Sequence, residues 1–412
     1  MSGYSSNLKV FASRLNGFSR TSLKVPVLNQ STAGPSNSIV VDIPTGGLID
    51  LSTLTMWATV TTTCGATDTG FVTLPKHGLS GLITRMEVES SGGIISSISQ
   101  NYSQIYTMMA QLQGFDSTPA ANSVGSVLEG SQDVALPGGN LTGVQYAVKR
   151  WLGFVGSVKP DLFPTDLCPL RLRITLDNAL ALVIAGVVAN PSFTLSNIFF
   201  TVDSVSIDDG LFNLARQKYV HGGGLLELPF TNYFQSTSFN TTMGFTHRWN
   251  ASSRSLDRVY ATLFPATYLT TQGARDGILY NSANFIRTAT GVKEMNLSLN
   301  SVPATSFHPT PAMAFGLTQD ALGLHSLHDE MPFGLNATTW VSKYFVWCVS
   351  YCNKQDPGER ISSGLSTAGS QVVGSFECFE DGAGTPANYS WVLAECQSLL
   401  QIGANGFLNV IQ

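Results

Sequence analysis

The densest run of side chains able to hold a metal is His325-Ser-Leu-His328-Asp329-Glu330, where one helical turn would bring both imidazoles to one face. No fourth ligand stands nearby, so the run reads as a polar loop or a subunit contact rather than a metal centre. Cys348 and Cys352 lie four apart in an apolar stretch, and on a strand that spacing separates the thiols by about 13 Å, too far to share an ion. The adjacent carboxylates Asp208-Asp209 and Glu380-Asp381 cannot do acid/base work by adjacency, because that chemistry needs two acids facing each other across a cleft. They read as a helix cap and a turn beside Gly382. His221 is followed by Gly222, Gly223 and Gly224 without the rest of an esterase oxyanion loop, and no phosphate loop, nucleophile elbow or zincin helix occurs. The residues predict a chain that is not an enzyme and holds no cofactor or metal.

The elements around these residues are strands. Val, Ile, Thr and Phe recur in short runs broken by Gly, Pro, Asn and Ser. The expected strands are Ser38–Pro44, Leu54–Thr63, Leu82–Ser90, Val148–Val155, Leu170–Asp177 and Ser192–Ile207, then Leu225–Phe230, Leu256–Pro265, Thr338–Cys352 and Tyr389–Leu400. No regular alternation with helices appears, which argues against a parallel sheet and for an all-β sandwich. Long loops are expected at Ser117–Asn140 and Thr270–His328.

Three segments depart from this pattern. Tyr102, Ile105, Tyr106, Met109 and Leu112 fall at helical spacing and predict an amphipathic helix covering a sheet edge. Asp208-Asp209-Gly210 opens a short helix through Tyr219, the best place for a domain connector. At the N-terminus, Tyr4, Leu8, Phe11, Leu15 and Phe18 project within about 80° of one another at helical spacing. Residues 1–41 carry Lys9, Arg14, Arg20 and Lys24 and no acid. Leu8, Lys9, Phe11, Arg14, Leu15, Phe18 and Arg20 are therefore the candidate contact with an anionic membrane or the inside of an assembly. The alternative is an arm packed on its own domain.

Composition agrees with self-association. Of 412 residues only 12% are charged, so few charges must be desolvated when copies pack together. Twenty-two basic against 27 acidic residues leave a net charge of −5, which argues against binding nucleic acid along the whole chain. Six scattered cysteines suit buried thiols better than a disulfide scaffold. The longest apolar run, Ala179 to Ala189, is about half of what spans a bilayer, and no signal-peptide core precedes the first strand.

Leu23-Lys-Val-Pro-Val-Leu-Asn-Gln-Ser, Ile39-Val-Val-Asp-Ile-Pro and Leu51-Ser-Thr-Leu-Thr-Met-Trp-Ala-Thr-Val resemble the opening of double jelly-roll major capsid proteins of polinton-like viruses, adintoviruses and the tectivirus–adenovirus type. Leu167-Cys-Pro-Leu-Arg-Leu-Arg-Ile-Thr-Leu-Asp resembles their penultimate strand of the first roll. The run from Phe193 to Phe212 looks like its last strand entering the inter-domain helix. The resemblance implies two tandem eight-stranded jelly rolls: a basic arm over 1–22, a first roll over 23–207, a connector helix over 208–222 and a second roll over 223–412. It further implies a homotrimer of six-sided outline in the icosahedral shell of a DNA virus, assembled inside the host cell. Its partners would be neighbouring capsomers, penton proteins, minor capsid or cement proteins and an internal membrane reached by the arm. The competing reading is a trimeric viral fibre or a glycan-binding module using Trp249, Tyr260 and Trp391. A jelly-roll glycosidase fits least, for want of a carboxylate pair.

Overall fold

The computed structural model describes residues 18–75, 77–90, 93–112, 140–185, 188, 190–207, 225–266, 286–323, 337–352, 364–368, 373–382, 387–403 and 408–412. The first half contains β1 (Phe18–Pro26), β2 (Ser38–Asp42), β3 (Leu48–Thr63), β4 (Ile83–Ser90), β5 (Gly93–Ile98), β6 (Val144–Val148), β7 (Arg171–Leu176) and β8 (Ser192–Ile207). The second half contains β9 (Leu226–Asn240), β10 (Phe245–Asn250), β11 (Leu256–Pro265), β12 (Val292–Leu299), β13 (Val302–Pro303), β14 (Trp347–Ser350), β15 (Val373–Glu380) and β16 (Asn388–Ile402). Among the described residues the longer helices are α1 (Tyr102–Leu112), α2 (Pro311–Ala321) and α3 (Ala337–Lys343).

The strands form four main sheets, every ladder antiparallel. In the first half the orders are β1-β8-β3-β6 and β2-β7-β4-β5. In the second they are β9-β16-β11-β14 and β10-β15-β12-β13. Adding eight to each label turns one half into the other, so the chain holds the same sandwich twice. Leu162–Pro164 prolongs the β6 position beside β3, and Leu408–Ile411 folds back on the end of β16.

Alternation sets which side each strand buries. Along β3, Leu54, Met56, Ala58 and Val60 face inward, while Trp57, Thr59 and Thr61 face out. Along β8, Ile198, Phe200 and Val202 are buried, and Phe199 and Thr201 alternate with them. Asn197, at φ 50, sits where the register with β3 shifts, a bulge that an asparagine tolerates in the left-handed region.

Several expectations change. Val148–Val155 is not a strand: β6 ends at Val148, and Gly153 at φ +68 turns the chain into a helical turn, Phe154–Ser157. Thr338–Cys352 is α3 followed by β14, because Trp340 is buried against Phe315 and a short apolar run does not distinguish helix from strand. The loop expected at Thr270–His328 carries β12, β13 and α2; polar Glu294, Asn296 and Ser298 on the outward face of β12 disguised it. The arm's boundary also moves, since β1 starts at Phe18 and pairs with β8 down to Pro26 opposite Phe199. Nor is α1 a one-faced cover. All eleven of its residues are buried, polar Ser103, Gln104, Thr107 and Gln111 included: the helix lies against β4 of the first sandwich, and at its two ends Asn101 and Gln111 hydrogen-bond to Gln235 and Arg287 of the second half. The connector over 208–222, His221 to Gly224, the Ser117–Asn140 loop up to its last residue and the His325–Glu330 run lie outside the described residues.

Candidate functional site

The arm residues divide at Phe18. Leu8, Lys9, Phe11, Arg14 and Leu15 lie outside the described residues, whereas Phe18 and Arg20 belong to β1. Strand geometry replaces the helical stripe there. Arg20 Nε donates to Asp203 Oδ2 at 2.6 Å and its Nη2 to Asp50 Oδ2 at 2.8 Å, so its charge clamps β1 to β8 and β3. Hydrogen bonds from Ser22 and Arg20 hold the Asp203 carboxyl below its usual range.

The seam between the sandwiches is extensive. The Phe154 ring meets Phe230 edge to face at 5.1 Å, and Phe163 closes on Phe154 at 5.6 Å. Ser157 Oγ accepts from the Thr231 amide at 2.8 Å, and Ser96 Oγ donates to Asn232 Oδ1 at 3.2 Å. Gln235 Oε1 accepts from Asn101 Nδ2 at 3.2 Å and from Trp391 Nε1 at 3.1 Å. At the far end of α1, Gln111 Oε1 accepts from the buried guanidinium of Arg287. One continuous core spans both halves.

Among the described residues, the groups that most resemble catalytic ones are these. His247 is buried between Ser236 Oγ (2.9 Å) and Ser390 Oγ (3.0 Å), which looks like a nucleophile pair. Burial pushes its imidazole down to about 4, too acidic for a general base near neutral pH. Burial likewise raises the thiols of Cys348, Cys378 and Cys396, the last to about 12, so they are inert core groups. Tyr260 donates to Glu395 at 2.6 Å, with Arg258 3.5 Å from the same carboxylate, a structural cluster beneath the seam. Among the described residues, no three His, Cys, Asp or Glu side chains could share a metal. Trp249, Tyr260 and Trp391, the aromatics of the glycan-binding reading, are all buried and cannot meet a sugar.

The outer faces are quiet. On β2-β7-β4-β5, Arg171 Nε reaches Asp42 Oδ1 at 2.7 Å, Arg173 Nε reaches Glu89 Oε1 at 3.2 Å, and Arg85 pairs with Glu87. These six charges cancel. On β10-β15-β12-β13 the ladder is Ser298 to Ser375 at 2.7 Å and Asn296 to Glu377 at 3.1 Å. On β1-β8-β3-β6 the Trp57 and Phe199 rings stack at 6.3 Å with Lys24 Nζ 4.2 Å over Phe199, amid threonines. Sequence reasoning missed this last face, although the alternation of Thr55, Trp57, Thr59 and Thr61 carried it.

No protein-family model matches the chain, and no curated protein matches it. Solved structures do. A PBCV-1 crystal structure fitted into a reconstruction of the virophage Sputnik superposes with TM-score 0.64 at 14% identity, over 97% of this chain and 98% of that one. The chain is a double jelly roll. A quasi-atomic model of the PBCV-1 capsid gives 0.62 at 13% identity over 97% and 98%, and the Faustovirus major capsid protein 0.56 at 10% over 94% and 91%. The double jelly roll therefore spans almost the whole chain. At these identities the likeness speaks for the fold and singles out no viral lineage.

Proposed function

We propose that this double jelly roll is a viral major capsid protein, a structural component of the virion with no enzymatic role. The repeated sheet order on one chain is the observation that carries the reading. Two like rolls per subunit let three subunits make a six-sided tile from three-fold symmetry, which can pave an icosahedral shell. The outer faces, whose charges are paired, support it, because little net charge is desolvated when copies meet. So does the near end-to-end match to the PBCV-1 and Faustovirus capsid structures. Neighbouring capsomers, penton and minor capsid or cement proteins are the partners, with no sequence-specific nucleic acid. The arm before Phe18, carrying Leu8, Lys9, Phe11, Arg14 and Leu15, contacts an internal membrane or the inner shell.

Electron microscopy of the purified protein tests the reading: six-sided trimers or closed shells are expected, and slender fibres or persistent monomers overturn it. Deleting residues 1–17, which spares β1, should leave a folded trimer but impair shell closure or vesicle binding. Normal shells and unchanged vesicle binding from the truncated chain would remove the arm's role.

A further inference from the structure

The two rolls stand the same way up. Contacts along β9 climb in step with those along β5: the Lys159 amide donates to Pro229 O at 3.0 Å, Ser96 to Asn232, and Gln235 to the carbonyl of Gln100. The end of the molecule at which β9 starts is therefore also the end at which β5 starts. β1 starts there too, since Arg20 lies opposite Val205, Val205 opposite Leu48, and Leu48 opposite Pro164, close along the chain to Lys159. The basic arm before Phe18 is thus attached at this end.

Here the equivalent corners of the two rolls differ. In the first roll the corner is the β4–β5 hairpin, closed by the Ser90–Gly93 pair, with the ends of β2 and β7 beside it. Its charges cancel, Asp42 against Arg171 and Glu89 against Arg173. In the second roll the corner is the β12–β13 hairpin, closed by the Leu299–Val302 pair, with the ends of β10 and β15 beside it. Asn300 at φ 50 and Ser301 at φ 65 make its tight two-residue turn. Val302, just past the turn, is 68% exposed, the most exposed large apolar side chain among the described residues. Val373, 47% exposed, is tied to the same turn by its amide, which donates to Asn300 Oδ1 at 3.1 Å. Leu365, 44% exposed, pairs with Leu256 where the chain crosses from β10 to β11. The segments that build this corner, 248–256, 299–305, 364–368 and 373–375, contain Arg248 and Arg254 and no acid. Both arginines are exposed, and among the described residues neither has an ion pair. Asp257, the first acid beyond them, is buried.

We infer that this corner of the second roll docks on an anionic lipid surface, with Val302, Val373 and Leu365 entering the headgroup layer and Arg248 and Arg254 pairing with its acidic groups. It rests on the membrane contact proposed for the arm and adds a second point of attachment on the other roll. Aliphatic side chains beside unpaired cations are the composition that binds such a surface, through buried apolar area and charge attraction together. A hairpin tip is convex, so it suits a soft layer better than a shaped protein pocket. The fold itself does not require this chemistry, because the first roll builds the same corner with its charges paired.

Sedimentation with vesicles tests it, comparing phosphatidylserine mixed into phosphatidylcholine with phosphatidylcholine alone. The full chain and the chain lacking residues 1–17 should both bind the anionic vesicles, the shortened chain more weakly, and neither should bind the neutral ones. In the shortened chain Arg248→Glu with Arg254→Glu should weaken binding about tenfold or more, at an unchanged melting temperature, since each basic residue near an anionic surface is worth about fivefold. Val302→Ser with Val373→Ser, which alters no charge, should weaken it as well. Binding that survives both pairs of substitutions overturns the inference, and if shells made from those variants are nevertheless defective the corner belongs to a protein partner. Binding by the full chain alone overturns it and leaves the arm's role standing. Vesicle binding by neither chain overturns both membrane contacts, while the capsid reading is still judged by microscopy.

Discussion

The ring of Phe154, from the first roll, meets that of Phe230, from the second, edge to face at 5.1 Å, and both are buried. This pair makes the two rolls one cooperative body. Phe154→Ala and Phe230→Ala should each lower stability by about 3–5 kcal/mol through lost burial and the cavity left behind. The double variant should lose about 0.5–1.5 kcal/mol less than their sum, the aromatic coupling itself. Urea unfolding measures both, and strict additivity would show that the rings do not interact.

Tyr260 donates to Glu395 inside the seam, at 2.6 Å. Tyr260→Phe keeps the packing and strands a carboxylate oxygen, so a cost of about 1.5–3 kcal/mol is expected. An unchanged denaturation midpoint would mean that Arg258 alone satisfies Glu395.

His247 makes the fold acid-sensitive. Burial lowers its imidazole from 6.5 to about 4, so the folded state prefers the neutral ring. Stability is complete above about pH 6.5 and declines as pH falls toward 4, by on the order of 3 kcal/mol. His247→Gln should flatten that part of the stability curve, and an identical slope in the variant would assign the effect elsewhere.

Asp257 works in the opposite direction. Burial raises its carboxyl from 3.8 to about 6, against the opposing hydrogen bond from Ser255. Folding favours its protonated form, and that contribution is lost as pH rises from about 4 through 6. Asp257→Asn should therefore gain more stability at pH 7.5 than at pH 4.5. Equal effects at the two pH values in thermal melts would refute it.

Arg20 clamps β1 from the surface, at 2.6 Å from Asp203 and 2.8 Å from Asp50. As an exposed group it should add little to global stability, and Arg20→Ala should act on the strand alone. Hydrogen exchange at the β1 amides should quicken with the melting temperature unmoved. A lowered melting temperature would show that β1 is integral to the core.

By itself the sequence determined the elements whose signal is local. Inward apolar and outward polar alternation marked Ser192–Ile207 to the residue, a mostly apolar run rich in strand formers marked Leu256–Pro265, and helical spacing marked Tyr102–Leu112, because each of these signals is local. Periodicity gave an all-β sandwich; the tandem pair of rolls was read from the resemblance of segments such as Leu23–Ser31 and Leu51–Val60 to double jelly-roll capsid proteins. Tertiary structure decided what depends on partners far along the chain. Arg20 finds Asp203 across 183 residues, so the end of the arm becomes a strand. Trp391 and Tyr260 are buried, although aromatics on a strand look the same in sequence whether another element covers them or water does. Period two says only that two faces differ. Which of them meets solvent, another roll or another copy is settled by the summed burial of every element that can reach it.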